Sequence, residues 1–78
     1  MFEEEWRRFV EVFRKYAGRE PREKSVLRLC LNTVLQSKCS AGEKAGILAE
    51  KIAEVEKVSR EKAEKIAWKY LEPEEEKG

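Results

Sequence analysis

The sequence contains no histidine, and every one of its 16 acidic side chains is glutamate, so aspartate is missing as well. Without imidazole or aspartate there is no common proton shuttle, no His-based metal site and no Ser/His/Asp constellation. Two cysteines, Cys30 and Cys39, are too few for a closed zinc site and have no histidine to pair with. No apolar run approaches the ~20 residues that a membrane span needs. The N-terminus, Met-Phe-Glu-Glu-Glu, is acidic where a secretion signal would be basic. These absences predict a cytoplasmic protein that is not an enzyme, with no metal, cofactor, small-molecule substrate or membrane partner. The glutamates then read as solvated faces.

What is present is a short chain dense in charge. Its 78 residues are 41% apolar and 42% charged, with 17 basic and 16 acidic side chains for a net +1. A chain this short supports one small domain, which buries only about 60% of the surface its unfolded form exposes. Thermolabile amides are nearly missing, Asn32 and Gln36 being the only two. Together with the Glu, Lys and Arg content this is the balance of proteins from hot environments. The near-neutral total hides an asymmetry: residues 1–39 carry nine basic and six acidic groups, residues 40–78 eight and ten.

The apolar spacing is helical throughout, which predicts an all-α fold of four short helices over about 2–17, 21–38, 41–56 and 60–71. In the first, Phe2, Trp6, Phe9, Val10, Phe13, Tyr16 and Ala17 share one face, while Glu3/Arg7, Glu4/Arg8 and Glu11/Lys15 are spaced to pair on the other. Such a stripe is either core or a binding surface, and Phe2, Trp6, Phe9 and Phe13 are the candidate dimer or partner interface. Gly18 ends this helix. Pro21 can open the second, whose apolar positions Val26, Leu27, Leu29, Cys30, Leu31, Val34 and Leu35 cover so wide an arc that it is expected to be central. Its narrow polar seam holds Arg28, Asn32 and Gln36, either a wet edge or a recognition element.

With Cys30 inside that helix, nine residues of mostly helical rise put the Cα atoms of Cys30 and Cys39 about 12 Å apart, too far for an internal disulfide. Cys30 is then a packing residue, and bridging between chains through Cys39 is the alternative. Ser40 with Glu43 forms a capping box for the third helix, and Ala45, Leu48, Ala49, Ile52 and Ala53 supply its inner face. Ser59 can cap a fourth helix whose inward residues are Ala63, Ile66, Ala67, Tyr70 and Leu71. Pro73 stops it, leaving residues 1–72 as one helical domain and 73–78 as an acidic frayed tail.

The stretch Ala53 to Ile66 resembles the helix-turn-helix of DNA-binding domains. Ala53 matches the small residue at the crossing, Lys57 the turn position, Val58 the apolar plug, Ser59 the cap, and Ala63 with Ile66 the inward side of the recognition helix. The resemblance implies a trihelical core of helices 2 to 4 with helix 1 as an N-terminal addition, and no wing, since only seven residues follow Leu71. Lys57 stands where the family prefers glycine, which predicts a longer or differently shaped turn.

With that inward stripe fixed, helix 4 shows Glu61, Lys62, Lys65, Trp68 and Lys69 outward, and Trp68 among lysines suits a phosphate-flanking contact, base stacking or a protein interface unless helix 1 covers it. The resemblance implies double-stranded DNA as partner, probed by Lys62, Lys65, Trp68 and Lys69. Ser59 and Arg60 would meet backbone phosphate, and Arg28, Asn32, Gln36 and Lys38 would extend the footprint. A possible homodimer would give such a small regulator its specificity. The alternative is a helical protein-interaction or assembly module that binds no nucleic acid.

Overall fold

A computed structural model describes residues 2–72 of the chain, and every described residue in regular structure is α-helical. α1 is Phe2–Ala17, α2 Lys24–Gln36, α3 Ala41–Glu56 and α4 Arg60–Leu71. The all-α expectation holds, and three of the four helices have the expected bounds. Pro73 and the 73–78 tail lie outside the described residues.

Local chemistry explains most of the ends. Gly18 takes a left-handed φ of 78° and donates its N–H to the Arg14 carbonyl at 2.9 Å, closing α1 where a side chain would be strained. The capping box at α3 is complete: the Glu43 N–H donates to Ser40 Oγ at 3.3 Å, and the Ser40 N–H donates to Glu43 Oε1 at 3.2 Å. At α4 the Lys62 N–H donates to Ser59 Oγ at 3.1 Å.

α2 is shorter than the expected 21–38. Its first turn begins at Lys24 because Glu23, the N-cap residue, holds ψ 64°, outside the helical range. The Arg22 N–H donates to both carboxylate oxygens of Glu56 at 2.9 Å, and the Glu23 N–H donates to Oε2 at 2.7 Å. These bonds tie the non-helical residues just ahead of α2 to a carboxylate on α3, and Pro21 beside them is itself buried. At the other end the Ser37 N–H returns to the Val34 carbonyl at 3.1 Å, and ψ of 155° at Ser37 sends the chain into an extended link.

The core draws on all four helices: Phe9 and Phe13 from α1, Leu27 and Leu31 from α2, Leu48, Ala49 and Ile52 from α3, and Ala63, Ile66, Ala67 and Tyr70 from α4, all fully buried. The helices form a closed ring in which α4 lies between α3 and α1, and α2 packs mainly on α3 with a slight touch on α1. Nowhere do the backbones of α2 and α4 approach within 8 Å. Two expectations are corrected. Helix 1 is not an addition to the core but half of its aromatic centre, with Phe9 stacked at 5.5 Å on Trp6 and edge-on at 5.8 Å to Tyr70. α2 is not central either; it buries only Leu27, Leu31 and Val34 and leaves Leu29 69% exposed. A wide apolar arc marked an outer helix with an uncovered side.

Candidate nucleic-acid interface

The corner between α3 and α4 is made by three residues, Lys57, Val58 and Ser59. Lys57 adopts the left-handed conformation at φ 61° and ψ 38°, so the turn is neither longer nor reshaped, and a lysine carries the strain that glycine would avoid. Val58 is half-buried against the core, Ala63 and Ile66 are fully buried, and Ser59 caps α4. This arrangement turns the opposite face of α4 to solvent.

That face carries Glu61, Lys62, Glu64, Lys65, Trp68 and Lys69, all exposed. Trp68 is 44% exposed and is not covered by α1. It lines a shallow groove of about 270 Å³ with Glu61, Glu64, Lys65, Lys69 and Glu72. A second groove of about 290 Å³, lined by Ser59, Glu61, Lys62, Lys65 and Tyr16 of α1, continues toward the start of α4. Two lysines and three glutamates surround the one indole, and Arg60 is engaged with Glu64 at 3.2 Å.

The remaining candidates lie elsewhere. Arg28 is not a free cation: it pairs with Glu3 and sits 5.2 Å and 5.3 Å from the Phe2 and Trp6 ring centres, fastening the start of α1 to α2. The Arg28 guanidinium also holds the Glu3 carboxyl below its ordinary value. Asn32 and Gln36 hydrogen-bond each other at 3.2 Å on α2, and Lys38 is exposed in the link after it. Because α2 and α4 are not neighbours, the expected footprint divides into two separate groups. Phe9 and Phe13 are fully buried and cannot serve a dimer or partner, while Phe2 and Trp6 are half-buried under Arg28. Both cysteines are free; Cys30 is half-buried, with its thiol pushed up by burial, and Cys39 is exposed.

Glu56 was missed altogether. Far from being a solvated glutamate, it is 2% exposed and satisfied by the Arg22 and Glu23 amides and by Arg19 Nη1 at 2.8 Å. Arg19 Nη2 also donates to the Glu56 carbonyl at 2.8 Å, and its guanidinium lies 5.5 Å from the Phe13 ring centre. Burial alone would push this carboxyl up; the Arg22 amide, the Arg19 guanidinium and the Glu23 amide outweigh it and hold the carboxyl below its ordinary value. The signal was in the spacing, since Glu56 continues the inward series Ala45, Ala49, Ile52. Two of the expected pairs of α1, Glu3/Arg7 and Glu4/Arg8, are likewise replaced. Glu3 reaches Arg28, while Arg8 turns to Glu5 at 3.4 Å and to the Tyr70 carbonyl at 2.9 Å.

No protein-family model matches the chain, and no curated protein or solved structure matches it either. Its own residues remain the basis for function. Among the described residues no cluster of three metal-ligating side chains occurs, and no helix is long and apolar enough to cross a membrane.

Proposed function

We propose that the chain is a small binder of double-stranded DNA that lays the outward face of α4 into the major groove. The observation that carries this reading is Trp68, 44% exposed between Lys65 and Lys69 on a helix presented by a capped three-residue turn. An exposed indole among lysines adds little to the stability of a monomer and can stack or pack beside a phosphate-flanked base. Lys62, Lys65 and Lys69 supply the charge, with Ser59 and Arg60 at the helix start beside them. Arg28, Asn32 and Gln36, on a helix whose backbone stays more than 8 Å from that of α4, are left out of this contact.

The test is fluorescence anisotropy of a labelled duplex as salt is varied. Binding should weaken steeply with salt, Trp68→Ala should lower affinity about tenfold, and each of Lys65→Gln and Lys69→Gln should reduce the salt slope by roughly one. Absence of binding at low salt removes the reading. A second reading, in which Trp68 anchors a protein partner, is favoured by Glu61, Glu64 and Glu72 around the same indole, which oppose phosphate and suit a mixed-charge rim. It predicts no response to DNA at any salt.

A further inference from the structure

In a chain that is 42% charged, the 13 residues of α2 include only Lys24 and Arg28 as charged side chains. The outward side of this helix is nevertheless apolar at its middle: Leu29 is 69% exposed and Val26 38%. Ser25, Leu29, Thr33 and Gln36 recur at three- and four-residue steps with Val26 and Cys30 beside them, so one uncharged strip runs the length of the helix. Cys30, at the strip's edge, lies close enough to Lys51 of α3 for that cation to act on its thiol. One turn before Lys51 on the same helix is Ile47, 45% exposed. Single exposed aliphatic groups are ordinary on a protein surface, but Leu29 and Val26 lie together on a helix face that carries no charge along its length.

We propose that this strip is the contact between two copies of the chain, α2 against α2 about a two-fold axis that passes near Leu29. Electrostatics selects the occupant. The cations of α2 and the nearby Lys51 are paired within the chain, Lys24 with Glu20 at 3.4 Å, Arg28 with Glu3 and Lys51 with Glu54 at 3.3 Å. The border therefore has no unpaired Arg28 or Lys51 charge to recruit a polyanion or an acidic segment. The electrical match of an uncharged strip is another uncharged strip, and two-fold symmetry sets identical strips together with no like charges opposed. The chain's own residues 73–78, Pro-Glu-Glu-Glu-Lys-Gly, offer no aliphatic side chain to cover it. A 13-residue helix is about 20 Å long. Two such helix faces cover somewhat under about 1,000 Å², the size of a weak, transient interface. The dimer is accordingly of micromolar class and forms with concentration. This contact does not depend on what α4 binds.

The experiment is sedimentation equilibrium of the full chain in reducing buffer, from low micromolar to near-millimolar concentration, with Leu29→Glu and Leu29→Lys made separately and then mixed. The unaltered chain should pass from monomer to dimer, and each variant alone should associate about tenfold or more weakly, with unchanged helical circular dichroism. The equal mixture should dimerise again, because only a two-fold contact at position 29 brings the two opposite charges together. Leu29→Cys in a Cys30→Ser, Cys39→Ser background should oxidise to a covalent dimer, a readout that introduces no charge. A chain that stays monomeric at every concentration overturns the proposal. So does a dimer that survives both charged variants, a mixture that stays monomeric, or a cysteine variant that fails to cross-link.

Discussion

α2 and α4 lie against α3 by different means. α4 is joined through a broad apolar seam in which Ala45, Ala49, Ala63 and Ala67 let the backbones come close, with Ile66 and Tyr70 filling the space beyond. α2 fully buries only Leu27, Leu31 and Val34, with Cys30 and Leu35 partly buried beside them, and its approach is secured at one end by a polar clamp, the Glu56 carboxylate gripping the backbone at Arg22 and Glu23. The outward faces differ in the same sense. The well-buried helix displays charges around a single indole; the lightly buried one displays aliphatic groups and almost no charge. A helix whose apolar arc is wider than its neighbours can cover has a surface for something else, whereas α4, with its inward stripe fully buried, presents a charged side broken only by Trp68.

Substitutions should separate these two kinds of attachment. The largest effect is expected from Ile66→Ala in the α4 seam, a loss of about 4 kcal/mol in urea unfolding, because a buried branched side chain is replaced by a cavity. Removing the clamp with Glu56→Ala should lose about 3 kcal/mol, since it strips two amides and a guanidinium of their shared acceptor. In that variant hydrogen exchange at Arg22, Glu23 and the first turn of α2 should quicken before exchange in α4. Equal acceleration in both helices would show that the clamp does not act locally.

The same carboxylate makes acid stability a probe of the α2 side. Glu56 has a folded pKa below its ordinary 4.5, so its contribution is complete above that value and is lost as pH falls through the lower folded value. Glu56→Gln should flatten the acid limb of stability against pH while leaving the neutral plateau lower. On the α4 side the sensitive group is Tyr70, fully buried and hydrogen-bonded to Glu5. Burial first, then the Glu5 carboxylate, pushes its phenol up from 10, with Arg8 opposing. Its contribution is intact below pH 10 and is lost as pH rises beyond it. Tyr70→Phe should cost about 1 kcal/mol at neutral pH and remove that alkaline limb.

The smallest expected change is a gain. Lys57→Gly should stabilise the α3–α4 corner by about 0.5 kcal/mol, the relief of a left-handed lysine offset in part by the freer unfolded chain. A loss of stability instead would mean that the lysine side chain has a favourable role that its strained backbone conceals.

Much of this architecture is readable one helical turn at a time. Ser40 with Glu43, Ser59 three residues before Lys62, and Gly18 after Ala17 mark their helix ends correctly, because a cap joins groups within about four residues of each other. The inward stripes of α3 and α4 are legible for the same reason. At the candidate site, the exposure of Lys62, Lys65 and Lys69 follows from the phase of the α4 stripe, but the exposure of Trp68 does not. A Trp on that flank is covered or open according to where α1 crosses, and α1 buries Phe9 and Phe13 without reaching over it.

Periodicity together with local caps therefore set the number, bounds and inner faces of most of these helices, and residue counts set the charge asymmetry that any reading of function must accommodate. Which helix is outermost, which cations are already partnered and which glutamate is buried emerged only from the packing. The deciding contacts join residues far apart in the chain, Glu3 to Arg28 over 25 positions, Arg19 to Glu56 over 37 and Glu5 to Tyr70 over 65. A spacing rule that spans one or two turns of helix carries no information about such pairs. They exist because four amphipathic helices closed into one ring, and that closure turned a single inward-facing glutamate into the anchor of a loop.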